Sequence, residues 1–216
     1  SIWLRRPKAI GDTPARSYWR DQKFDAVCRI ADTVVVGNQV LAERVQPVNP
    51  NTLIVPTTVD VAAYNAVPGK LQGKSQGKSQ GKSQEEFQGE LQGESAKDCF
   101  TAVWIGLPGN LVFLEFVRPA LAAIASRYPQ FSLRIVSSKS VDWADVPVEF
   151  VPWSSAAEIS ALRSADVGLM PLFDDAWSRG KCAFKLLQYM AAGLPCIASP
   201  VGANTEAVSD GETGCL

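Results

Sequence analysis

Apolar residues recur at helical spacing as Phe24, Val27, Cys28 and Ala31, which predicts a helix within residues 18–32. The β-branched run Thr33-Val34-Val35-Val36 follows and predicts a short buried strand that ends at Gly37-Asn38. A second helix is expected over 39–45, and Pro47 and Pro50 lead from it to another apolar run, Leu53-Ile54-Val55, stopped by Pro56. Helix and strand alternating in this way build parallel sheets.

The pattern breaks at residues 68–97. The tetrad Gln-Gly-Lys-Ser repeats from Gln72 and then gives way to an acidic stretch with Glu85, Glu86, Glu90 and Glu94. So few apolar residues do not offset the entropy of ordering the backbone, roughly 1–2 kcal/mol per residue. A flexible linker or insertion is expected over 66–99, dividing the chain into parts 1–65 and 100–216.

Beyond it the rhythm resumes. Ala102-Val103-Trp104-Ile105 reads as a strand, Gly106-Leu107-Pro108-Gly109-Asn110 as a tight loop, and Leu114, Val117, Leu121 and Ile124 as one face of a helix. Pro119 is expected to begin or kink that helix. Strands follow at 131–136 and 148–151, and Ser155 with Glu158 reads as a capping box for a helix carrying Ile159 and Leu162. Val167-Gly168-Leu169-Met170 is a further strand, and a loop rich in Asp, Arg and Gly leads to a helix over 183–192, closed by Gly193 and Pro195. Cys196-Ile197-Ala198 is the next strand, and Gly214-Cys215-Leu216 reads as one beginning. The expected fold class is α/β with a doubly wound, Rossmann-like parallel sheet.

Composition narrows the chemistry. With 46% hydrophobic residues the chain can build a packed core, and a net charge of −1 gives no basic field for nucleic acid. Five cysteines without a CxxC pair suggest neither a disulfide framework nor a zinc ribbon, so a cytoplasmic setting is expected. The chain has no histidine, which removes Ser-His-Asp and Cys-His pairs and histidine-ligated metals. The most apolar stretch, 101–117, is interrupted by Gly106, Pro108, Gly109, Asn110 and Glu115, so no transmembrane segment is predicted.

In an open parallel sheet, ligands bind beyond the carboxyl ends of the strands. Three loops there have suitable chemistry. Gly106, Gly109 and Asn110 form the first, where glycines let backbone N–H groups approach an anion, although a plain turn also explains them. The second brings Arg179, Lys181 and Lys185 toward a helix N-terminus, where cations oppose the helix dipole unless an anion joins them. That conflict points to a phosphate site; a solvated cationic face is the rival explanation. The third, Ser199 to Gly202 with Glu206 after it, is explained equally well by an ordinary strand-to-helix turn.

The run from Gly180 through Lys185-Leu186-Leu187-Gln188-Tyr189-Met190-Ala191-Ala192-Gly193-Leu194-Pro195, continuing through Ser199-Pro200-Val201-Gly202 to Glu206 and Asp210-Gly211, resembles the donor-site signature of retaining GT-B glycosyltransferases of the group 1, or family four, class. Trp104-Ile105-Gly106, Val151-Pro152-Trp153 and the segment 165–172 fall where that family has strand ends. Upstream, Asp32 to Asn38, Val55 to Asp60 and Tyr64 look like the last part of the acceptor-side Rossmann-like domain and its exit toward the donor domain.

The resemblance implies a partial GT-B chain: the tail of an acceptor-side domain over 1–65 and an incomplete donor domain over 100–216. It implies sugar transfer, with retention, from a nucleotide-diphosphate sugar to a sugar, lipid or other acceptor, without metal or other cofactor, and no activity by this chain alone. Peripheral membrane contact would fall to parts outside it. Its donor and phosphate residues would be Gly106, Gly109, Asn110, Arg179, Lys181, Lys185, Gln188, Ser199, Gly202 and Glu206, with Pro152 and Trp153 at the nucleotide base; no catalytic residue is assigned. The family motif has two glutamates separated by seven residues, and here Gly180 and Gln188 hold those positions. A glutamine amide can still bond a ribose hydroxyl. The rival is a non-catalytic domain of the same fold that binds nucleotide or serves as an interaction module.

Overall fold

The computed structural model describes residues 14–65 and 99–216. The expected linker at 66–99 therefore lies, but for its last residue, outside the described residues.

The first part holds three helices, α1 (Pro14–Ile30), α2 (Gln39–Val45) and α3 (Val61–Asn65), and two strands, β1 (Val34–Val36) and β2 (Thr52–Ile54). The strands pair in parallel, Val34 opposite Thr52 and Val36 opposite Ile54. Cys28, Val36, Ala42 and Val45 form the small core beneath them. Asn49 closes the end of α1 by donating from Nδ2 to the carbonyls of Cys28 and Ala31, both at 2.8 Å. Asn38 caps α2, its Oδ1 accepting from Leu41 N–H at 2.9 Å. Its Nδ2 donates to the Lys181 carbonyl at 3.0 Å, joining this part to the second.

The second part is a six-stranded, wholly parallel sheet. Its strands are β3 (Phe100–Ile105), β4 (Phe131–Ser137), β5 (Val148–Pro152), β6 (Val167–Met170), β7 (Cys196–Ala198) and β8 (Gly214–Cys215), in the order β5-β4-β3-β6-β7-β8. The chain winds outward from β3 through β4 to β5, returns to the other side of β3, and winds outward again. Between β3 and β6 the order reverses, which in such sheets opens a crevice at the strands' carboxyl ends.

Helix α4 (Val112–Arg127) covers one face with Leu114 and Leu121. On the other face lie α5 (Ser155–Arg163) and α7 (Phe184–Ala191), with the short α6 (Ala176–Arg179) and α8 (Asn204–Ala207) in the loops beside them. Pro119 neither begins nor ends α4 but lies within it. Its ring is on the exposed side, where the carbonyl left without a donor by the missing N–H can turn to water. Ile124, expected on the buried face, is 40% exposed, and Phe113 is buried instead.

Helix α7 is held from both ends. Gly193, at φ +71°, ends it in a Schellman motif, with Leu194 N–H bonding Tyr189 O and Gly193 N–H bonding Met190 O, both at 2.9 Å. Tyr189 is fully buried, and its hydroxyl donates to Leu169 O at 3.0 Å. Its ring lies so close to Gly168 that a Cβ there would come within 2.5 Å of it, so the strand needs glycine for the helix to sit down.

Candidate donor-binding site

At the crevice, Trp104 of β3, Met170, Pro171 and Leu172 at the end of β6, Asn110 and Phe113, and the 181–185 segment line a cleft of about 270 Å³. The chain enters α7 through Ala183, whose φ of 51° makes it the one left-handed non-glycine among the described residues. That conformation costs an L-residue roughly 1 kcal/mol or more. No side chain caps the helix, so its opening turn faces the cleft with the dipole's positive end unoffset.

Lys181 and Lys185 both line this cleft. The Lys181 ammonium stands 4.2 Å from the centre of the Phe113 ring. Burial and then the neighbouring Lys185 charge lower its pKa to about 8, against an opposing pull from Asp175. Burial lowers the pKa of Lys185 as well, opposed by Glu158. Among the described residues neither ammonium has a carboxylate within ion-pair distance.

Arg179 does not join them. It ends α6, it is 53% exposed along its side chain, and Asp174 takes its guanidinium in two bonds of 2.6 and 2.9 Å. The expected gathering of three cations at one helix N-terminus is thus corrected to two, because Asp175 caps a separate short helix between Asp174 and Lys181.

Lys185 also edges a second hollow of about 390 Å³, lined by Ile105, Gly106, Leu107, Ser138, Trp153 and Glu158. Glu158 is the residue that the sequence reading missed here. The true N-cap of α5 is Ser154, whose hydroxyl accepts from Ala157 N–H at 3.1 Å, so the expected capping box of Ser155 and Glu158 does not form. The Glu158 carboxylate instead accepts from Trp153 Nε1 at 2.7 Å and from Gln188 Nε2 at 2.5 Å. Gln188 is 5% exposed, and the same Nε2 donates to the Tyr64 hydroxyl at 2.9 Å.

The remaining expected residues divide. Gly106 lines the hollow, but its N–H already bonds Val136 O, and a Cβ on it would come within 2.3 Å of the Trp104 ring. Asn110 lines the cleft, although its N–H bonds Leu107 O, and Gly109 sits with it in a 3-10 turn at Pro108–Asn110. Trp153 borders the hollow, whereas Pro152 ends β5 in register with Ser137. Ser199, Gly202 and Glu206 line neither cavity. Ser199 Oγ accepts from Leu172 N–H at 2.9 Å, Gly202 turns at φ +56° with room for no Cβ beside the Arg179 backbone, and Glu206 is exposed on α8.

A doubly wound parallel sheet with a cationic cleft at its switch point is a frame for binding anionic nucleotides. A family model for the group 1 glycosyl transferases matches residues 101–216, and the chain belongs to that family. No curated protein matches the sequence.

Solved structures share the GT-B fold at low identity. TarM matches at a TM-score of 0.60 and 9% identity over 96% of this chain and 37% of its own; a mutant of the S. aureus protein, in complex with fondaparinux, α-GlcNAc-glycerol and UDP, matches at 0.56 and 8% over 98% and 38%. The catalytic domain of starch synthase IV from Arabidopsis thaliana, bound to ADP and acarbose, matches at 0.56 and 12% over 88% and 43%. The chain therefore spans well under half the length of these proteins. Among the described residues no helix is long and apolar enough to cross a membrane.

Proposed function

We propose that this chain binds the nucleotide-diphosphate sugar of a glycosyl transfer that retains the anomeric configuration, with Lys181, Lys185 and the opening turn of α7 holding the diphosphate. The carrying observation is the pair of largely buried lysines, without carboxylate partners among the described residues, at an uncapped helix start. Such an arrangement is unfavourable until an anion enters and favourable once it does. As the glycosidic bond breaks, negative charge builds on the leaving diphosphate, and ammonium groups already in place stabilise it without reorganising and without a metal. The acceptor, a sugar, lipid or other nucleophile, would approach from the side of the first domain, and a cytoplasmic setting suits the five free thiols.

The test compares nucleotide affinity by calorimetry in the parent and in Lys185→Ala, across UDP, GDP and ADP. A charge-assisted hydrogen bond is typically worth ~1.5–3 kcal/mol, so the variant is expected to bind diphosphates roughly tenfold more weakly or worse. The matching nucleoside should bind both proteins alike. Equal loss for nucleoside and diphosphate would mean damage to α7, and no loss would return Lys185 to the solvated-face reading. With Gly180 and Gln188 at the motif's two carboxylate positions, the second reading is a nucleotide-binding domain without transfer; diphosphate binding with no turnover of any sugar nucleotide would select it.

A further inference from the structure

Gln188 stands where the motif carries a glutamate, yet a carboxylate lies against its side chain. Glu158, from a different helix, lies 2.5 Å from the Gln188 amide and 2.7 Å from the Trp153 indole nitrogen. The two donors approach different oxygens, Oε1 and Oε2, so the group is fixed at both ends rather than free to rotate. Each carboxylate oxygen accepts about two hydrogen bonds, which leaves acceptor capacity on both. The residue is only partly buried and edges the hollow shared with Lys185, whereas the Gln188 amide is buried and its nitrogen already bonds Tyr64 and Glu158.

We infer that Glu158, and not Gln188, is the residue that accepts hydrogen bonds from a ligand's vicinal hydroxyls in this hollow, with Gln188 and Trp153 acting as positioning residues that aim its carboxylate. The inference rests on the donor reading above. With the diphosphate on Lys185, the sugar next to it along a nucleotide is the ribose, and a fixed pair of carboxylate oxygens suits the two hydroxyls of a cis diol. A carboxylate offers no donor, so beside Glu158 the hollow favours ligand groups that bring O–H or N–H. The indole of Trp153, 58% exposed at the rim, adds an apolar face beside the diol.

The experiment measures affinities of UDP, GDP and ADP and of their 2′,3′-dideoxy analogues for the parent, Glu158→Gln and Lys185→Ala. In the parent, at least one ribonucleotide should bind about tenfold more tightly than its dideoxy analogue, the size expected when charge-assisted bonds are lost. Glu158→Gln should shrink that ratio to about threefold or less without lowering dideoxy affinity, since a neutral amide is a weaker acceptor for the same hydroxyls and does not repel the diphosphate. Lys185→Ala should lower both affinities and preserve the ratio. A Glu158→Gln protein that keeps the parent's ratio overturns the inference alone, as does one that weakens both ligands equally. A parent that binds none of the diphosphates overturns the donor reading and this inference with it.

Discussion

The cleft walled by Phe113 and Lys181 and the hollow rimmed by Trp153 and Glu158 share Lys185, but they satisfy their polar groups in contrasting ways. In the cleft, two ammonium groups sit largely buried near an uncapped helix start, that of Lys181 over the Phe113 ring, with nothing of opposite charge bonded to them among the described residues. In the hollow, the charged group is already bonded by an indole and an amide, and that amide reaches on to Tyr64 of α3. The first arrangement leaves positive charge unoffset, which an entering anion would relieve. The second is built before any ligand arrives and offers geometry. Anion affinity should therefore be set by the cleft and discrimination among ligands by the hollow.

The largest expected effect comes from breaking the preformed side of that contrast. Gln188→Glu places a second carboxylate, in a position that is 5% exposed, against Glu158. Two such groups do not both ionise readily, and one pKa should rise by about 2–3 units, or ~3–4 kcal/mol lost at neutral pH. Because the folded-state value is raised above the ordinary glutamate value of ~4.3, the penalty is full above the raised value and fades as pH falls toward the ordinary one. The swap Glu158→Gln with Gln188→Glu should recover most of the loss by restoring one amide and one carboxylate. Denaturant unfolding of the parent and the two variants checks this, and a Gln188→Glu protein as stable as the parent would mean the two side chains do not meet.

A smaller effect sharpens the other side. The folded-state pKa of Lys181 is lowered to about 8 from 10.5, so between those values the ligand-free fold holds fewer protons than the unfolded chain. Stability contributed by this residue should rise with pH across that window. Diphosphate binding needs the charged form and should run the other way, weakening by up to about tenfold from pH 7 to pH 9. Lys181→Met should flatten both profiles. A parent whose affinity is constant from pH 7 to 9 would show that Lys181 is not in contact with the anion.

What could be read in the sequence was governed by local rules. Strands β6 and β7 were placed to the residue because each is a short apolar run with a proline beside it, and α7 was legible from its Gly193 and Pro195 stop. Of the residues expected at the candidate site, Lys181 and Lys185 come from one segment, and Gly106, Asn110 and Trp153 from others also line the two cavities. Glu158 was assigned to helix capping because its partners, Trp153 and Gln188, meet it only through the fold. Ser154, one residue before the expected cap, holds that position, and this frees Glu158 for its tertiary bonds. Pro119 was expected to disturb α4, and exposure of that side of the helix removes the reason for it to do so.

Arg179 gives the smallest expected effect and the most direct comparison with the lysines, being two residues from Lys181 in sequence and yet outside the cleft. Its charge is met by Asp174 in a two-bond pair that raises the arginine's pKa and lowers the aspartate's, so no uncompensated cation waits there for a ligand. The pair is exposed to water and salt, which screen it and leave it little to contribute to the fold. Arg179→Ala should accordingly leave diphosphate affinity within about twofold of the parent, against the roughly tenfold loss expected for Lys185→Ala. The backbone of Arg179, against which Gly202 makes its close turn, is untouched by this change, so the melting temperature should also hold. An Arg179→Ala protein that loses affinity as severely as Lys185→Ala would mean that the guanidinium leaves Asp174 to reach the ligand, and the division between a waiting pair of lysines and a satisfied arginine would fail.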